Sequence, residues 1–85
     1  MESRIAIIGI IVEKRESAEE LNRLLSEYGT YIIGRMGLPY QKRGVSIISI
    51  SMDAPQDIIN ALSGKIGKID GVSAKTTYSQ LTFKD

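Results

Sequence analysis

The side chains best equipped for chemistry gather between Tyr31 and Asp53, in YIIGRMGLPYQKRGVSIISISMD. Arg35 and Arg43 carry guanidiniums, which grip a carboxylate or phosphate through two parallel hydrogen bonds. Met36 and Tyr40 offer apolar walls, Gly37 lies between them, and Lys42 adds a third cation. Leu38, Pro39 and Gly44 complete the group. Read functionally, this is a loop pocket at a subunit interface, with Arg35, Met36, Gly37, Tyr40 and Arg43 as contacts for a small anionic ligand. Read plainly, it is a solvated turn whose cations keep a sheet edge soluble. The residues alone leave both readings open.

Other chemistry is largely excluded. The chain has no histidine and no cysteine. The common zinc, nickel and copper ligands, thiol nucleophiles and disulfides are therefore missing. The acidic residues are scattered, without calcium-loop spacing. No metal, no cofactor and no catalytic residue is expected, because no nucleophile–base pair or close acid pair emerges. The glycines from Gly64 to Gly71 lack the Lys-Ser/Thr ending of a phosphate-binding loop. The charged link Glu13-Lys14-Arg15-Glu16 reads as a solvated connection or a ligand-facing loop. Eleven cations against ten anions give a net charge of +1. That balance offers no general pull toward nucleic acid or membrane. The longest apolar run, Ile5 to Val12, is far too short to span a bilayer, and no signal peptide is visible. A cytoplasmic location is expected.

The elements that hold the hairpin follow from periodicity. Arg4 to Val12, RIAIIGIIV, is short and Ile-rich, so it predicts a strand. Both parities are apolar, Ile5, Ile7 and Ile11 against Ala6, Ile8, Ile10 and Val12, which suits a central strand. Gly9 is expected to pack opposite a bulky neighbour, or to admit a close backbone approach. Ser17 to Tyr28 predicts a helix, with Ser17 and Glu20 as a capping box and Leu21, Leu24, Leu25 and Tyr28 as its apolar stripe. Gly29 is its expected left-handed stop. A hairpin follows. Its first strand begins at Tyr31 and should not run centrally through Pro39. Gly44 returns the chain into Val45–Asp53. There Ser46, Ile48, Ile50 and Met52 should face the helices. A second helix opens at Asp53-Ala54-Pro55-Gln56, capped by Asp53, with Ile58, Ile59, Leu62 and Ile66 inward. After a turn at Asp70-Gly71, Val72 to Tyr78 predicts an edge strand, with Lys75 discouraging open pairing. Met1 to Ser3 and Ser79 to Asp85 are expected to be loose.

The order β-α-β-β-α-β with right-handed crossovers predicts an α+β, ferredoxin-like sandwich. Its four-stranded antiparallel sheet carries two helices on one face. The 85 residues form one domain, with a core from about residue 4 to 78. The third strand lies beside the first, and the second lies at an edge. The other face then shows Ile5, Ile7, Val45, Ile47 and Ser49, an apolar surface of the kind that marks an interface. A homo-oligomer, dimer or tetramer, is expected. The central strands carry no aromatic for base stacking, so RNA is not an expected partner.

Three segments carry a family resemblance: RIAIIGIIVEKRES, LNRLLSEYGTYIIGRMGLPYQKRGVSIISISMDAP and ALSGKIGKIDGVSAKTTYS. Together they resemble the small regulators proposed for the iron-only hydrogenase system, over about Arg4 to Tyr78. YIIGRMGLPY and the strand from Gly44 to Ile50 are the most specific parts. The resemblance implies an ACT-like ferredoxin fold, similar to the effector-binding C-terminal domain of the nickel-responsive repressor. It also implies a regulatory or sensing role, of the transcriptional-regulator kind, and assembly through sheets. The repressor's two His and one Cys nickel ligands align with Gly37, Pro39 and Val45, so nickel sensing is not implied. Its ribbon-helix-helix arm would precede Arg4, where three residues stand, so direct DNA reading is not expected. Glu13-Lys14-Arg15-Glu16 replaces the glycine-containing loop of amino-acid-binding ACT domains. The expected activity is binding of a small effector or a regulatory protein at an oligomer interface. The alternative is a non-catalytic assembly factor docking on a partner protein through its sheet face.

Overall fold

The computed structural model describes residues 2–84. Six main elements follow one another: β1 (Glu2–Val12), α1 (Ala18–Glu27), β2 (Ile32–Tyr40), β3 (Val45–Ala54), α2 (Gln56–Gly67) and β4 (Val72–Lys84). Short 3-10 turns at Arg15–Ser17, Gly29–Tyr31 and Gln41–Arg43 lead into α1, β2 and the hairpin return. The sheet order is β2-β3-β1-β4, every pairing is antiparallel, and β1 and β3 are central. This is the ferredoxin-like, ACT-like α+β arrangement.

One parity of each central strand builds the core. Ala6, Ile8, Ile10 and Val12 of β1 lie beside Ile48, Ile50, Met52 and Ala54 of β3, all buried. Leu21 and Leu25 of α1 and Ile59, Leu62 and Ile66 of α2 close over them. Both helices therefore cover the same sheet face. Each fully buried Ile or Leu contributes about 1.5–3 kcal/mol of transfer free energy. Helix α2 lies toward β4, where Ser63 and Thr76 share a 2.9 Å hydrogen bond and the Tyr78 hydroxyl donates to Asn60. Helix α1 lies toward β2, where Arg35 donates to Asn22 Oδ1. Lys65 sits 5.2 Å from the Tyr28 ring centroid and links the two helices.

Several local expectations give way to tertiary contacts. Ser17 does not cap α1. It sits in helical conformation at the end of a 3-10 turn, and its hydroxyl donates to the Asp70 carbonyl at 2.5 Å instead. Gly29 does not stop the helix in a left-handed conformation; among the described residues Gly44 and Gly71 alone have positive φ. The chain continues from Tyr28 through a 3-10 turn that includes Tyr31. Asp53 does not cap α2 either, because β3 runs on through Asp53 and Ala54, paired with Ile5 and Arg4. Pro55 takes the capping position without a side-chain bond.

The two ends are not loose. β4 extends to Lys84, and Glu2, Ser3 and Arg4 pair with Lys84, Phe83 and Thr82 beyond an irregularity at Ile5. Each terminal segment satisfies the other's backbone groups, which neither could do alone. Met1 and Asp85, included in the expected loose ends, lie outside the described residues. Gly9 faces open space rather than a bulky neighbour: a Cβ there would meet nothing within 4 Å.

Candidate functional site

The hairpin is more regular than its sequence suggests. β2 runs through Pro39, which pairs with Ser46, and only Gln41 to Gly44 form the connection. Proline is tolerated because β2 is an edge strand and one side of its backbone needs no partner. Gly44, at φ 68°, reverses the chain in the left-handed region. Arg35 to Tyr40, expected in a loop, thus occupy a strand and alternate between the two sheet faces.

That alternation divides the residues expected to form one pocket. Directly paired residues share a face. Arg35 pairs with Ile50 and Gly37 with Ile48, so both lie on the helix side. Met36 pairs with Ser49 and Tyr40 with Val45, so both lie on the open side. Arg43 stands at the tip, in the 3-10 turn. The sheet itself separates Arg35 from Met36, whereas Tyr40, at the strand end, still lines the concavity adjoining that of Arg35 and Gly37.

Two surfaces result. The open face brings together all five residues expected at an interface, Ile5, Ile7, Val45, Ile47 and Ser49, in adjacent rows of β1 and β3. Met36 and Leu38 of β2 continue this face and are 70% and 56% exposed, while Ile7 and Ile47 are 48% and 40% exposed. Ile11, Ile47 and Leu38 form one apolar cross-strand row of this face, which is costly to leave in water. Gly9 and Gly34 lie on this face without side chains, and a Cβ added at either would meet nothing within 4 Å.

The second surface is a groove on the helix side. Helix α1 leaves the inner face of β2 uncovered, and residues 33–40 are all exposed. Two adjoining concavities of about 400 and 300 Å³ occupy that space. They share Val12, Ala18, Pro39 and Ser46 as floor. Arg15 and Gln41 stand at the hairpin end, and Arg35 and Asn22 at the other. Arg15 and Asn22 were not singled out by the sequence as partners of Arg35. Nothing in local spacing links positions 15, 22 and 35, which only the α1–β2 packing brings together.

The link carrying Arg15 is fastened to the far side of the molecule. Lys14 Nζ contacts Asp70 Oδ2 at 2.5 Å, the Glu13 amide donates to the Gly71 carbonyl at 2.7 Å, and Ser17 holds the Asp70 carbonyl. The Lys14 ammonium holds the exposed Asp70 carboxyl below its usual range, chiefly through their hydrogen bond, and Asp70 raises Lys14 in turn. Among the described residues no group of three or more metal-ligating side chains is present, and no helix is long and apolar enough to cross a membrane.

Comparison with known proteins agrees with this architecture. The uncharacterized protein TM1266 from Thermotoga maritima superposes with a TM-score of 0.88 at 33% identity, covering 92% of this chain and 99% of that one. A formyltetrahydrofolate deformylase from Pseudomonas putida KT2440 superposes at 0.62 with 15% identity, over 86% of this chain but 28% of the enzyme, a likeness of fold alone. No curated protein matches. The TM1266-like family, described as "Iron-only hydrogenase system regulator, putative", matches residues 4–76. With most of β1, all of β2 and β3, both helices and the start of β4 inside that match, the chain belongs to the TM1266-like family.

Proposed function

We propose that the protein is a non-catalytic regulatory module of the iron-only hydrogenase system, acting in the cytoplasm. It assembles with copies of itself through the open sheet face and responds to a small effector bound near the hairpin. The observation that carries this reading is the exposed apolar row of Ile11, Ile47 and Leu38, with Met36 and Ile7 exposed beside it on the same face. The family description supports the regulatory role. The molecule measures 42 × 19 × 17 Å. A face along its long dimension is of the order of the roughly 800 Å² per partner that stable interfaces bury. Effector binding shifts the assembly by its differential affinity for two arrangements.

Native mass spectrometry of freshly purified protein, with denaturing analysis alongside, tests this. A dimer or tetramer carrying extra mass that disappears on denaturation is the expected result. A multimer that carries only a protein partner moves the role to an assembly factor docked through the same face. A clean monomer at micromolar concentration overturns assembly through the open face.

A further inference from the structure

We infer that the groove between α1 and the inner face of β2 binds a small anionic molecule with an apolar flank, a phosphate ester or a carboxylate, held by Arg15 and Arg35. This rests on the effector reading above and names its site and ligand class. It places the ligand on the helix side of the sheet, away from Met36 and Arg43, with Tyr40 at the hairpin end of the groove.

Charge points first to an anion. Both guanidiniums line the groove, and no Asp or Glu lines either concavity. The one ion pair among the described residues joins Lys14 to Asp70, so neither arginine is neutralised by a carboxylate. Helix α1 begins at Ala18, which lines both concavities, and so presents the positive end of its dipole there.

Geometry is the second support. Arg35 Nη2 donates to Asn22 Oδ1 at 2.5 Å. That bond fixes the guanidinium plane while leaving most of its five N–H donors free. Arg15 is held by the fastening of its link to Asp70 and Gly71. The fastening fixes the Arg15 backbone and the Asn22 bond orders the Arg35 side chain before binding, which lowers the ordering cost.

The floor supplies the third. Val12, Ala18, Pro39 and Ile48 present apolar surface, and Gly37 and Ser46 keep it low. A combined space of this size accepts a ring-sized body with an anionic head, within the range of small-molecule sites. A fully hydrated inorganic ion would leave that apolar floor unused.

The test is an amide NMR titration of the intact chain with phenyl phosphate and, separately, benzoate. Arg15→Gln and Arg35→Gln are the variants; dispersed amide spectra confirm that each remains folded. The expected result is saturable shifts at Val12, Arg15, Ala18, Gly37 and Ser46, weakening as NaCl is raised. Each variant weakens binding roughly tenfold or more, as loss of a charge-assisted hydrogen bond does. The probe that binds more tightly identifies the head group as phosphate or carboxylate. No saturable shift with either probe at millimolar concentration overturns the proposal, as do shifts unchanged in both variants. Shifts confined to Met36, Arg43 and the open-face residues Ile7, Ile47 and Ser49 also overturn it, and leave the effector reading standing. Extra mass retained by the doubly substituted multimer in native mass spectrometry likewise removes the groove alone.

Discussion

Replacing Gly71 by alanine tests how the β1–α1 link is held. Gly71 has φ 75°, and an added methyl would lie 2.5 Å from Lys14 Cγ and 2.8 Å from its Cβ and Cδ. The left-handed backbone costs a non-glycine residue about 1–2 kcal/mol. The smaller entropy of the unfolded alanine chain does not offset this where the native conformation is incompatible. The contact adds a second effect, since the Lys14 Cβ is tied to its backbone and the link itself must shift, loosening the hold on Asp70. For a domain of this length, the backbone strain alone lowers Tm by roughly 5–15 °C. Gly44→Ala is the internal control. Gly44 has φ 68° with nothing within 4 Å of the added carbon, so it carries the backbone strain without the collision. Thermal melts by far-UV circular dichroism should therefore show Gly71→Ala below Gly44→Ala. Adding Lys14→Ala should narrow that gap without closing it, because alanine keeps the Cβ that lies 2.8 Å from the added methyl, and should bring no such relief to Gly44→Ala, a coupling read as a double-mutant cycle. Equal melting of the two alanine variants, or no coupling to Lys14, would refute the packing described for this link.

The Lys14–Asp70 pair makes a pH prediction. Asp70 titrates lower in the folded chain, so its contribution is complete above the unfolded carboxylate value and is lost as pH falls through the folded one. Lys14 titrates higher, so the same contribution is complete below the unfolded lysine value and is lost as pH rises through the folded one. The Tm difference between wild type and Asp70→Asn should accordingly be largest near neutral pH and shrink toward both extremes. In the core, Ile8 is fully buried, so Ile8→Ala should cost about 2–5 kcal/mol and lower the urea midpoint sharply. On the open face, Leu38→Glu should leave the monomer's fold intact, because Leu38 is 56% exposed. Sedimentation velocity should then show the assembly dissociated while far-UV circular dichroism is unchanged.

Much of the fold was legible because burial imposes simple periods. The double apolar parity of Ile5 to Val12 marked a central strand, and β1 is central. The even positions from Ser46 to Met52 were expected to face the helices, and Ile48, Ile50 and Met52 are buried. Alternation in Val72 to Tyr78 marked an edge strand, with Ser73, Lys75 and Thr77 outward. The failures share a cause. Ser17 and Asp53 have ordinary helix-capping chemistry, but distant backbone claims them: the Asp70 carbonyl for Ser17 and the β1 ladder for Asp53. The ends lacked a strong apolar pattern, yet they pair because each lies beside the other in space.

For the candidate site, the sequence determined the inventory: Arg35, Arg43 and Tyr40 near a turn, and neither His nor Cys to support metal or thiol chemistry. It also determined which residues share the open sheet face, since a period of two follows from the strand backbone alone. Only the tertiary structure decided that β2 continues through Pro39, because tolerance there depends on β2 lying at an edge. That continuation sends Arg35 and Met36 to opposite faces. Only the packing of α1 beside β2 brings Arg15 and Asn22 to the groove that Arg35 lines. Local sequence specifies how a side chain leaves its own backbone, and the packing of distant elements specifies what it meets.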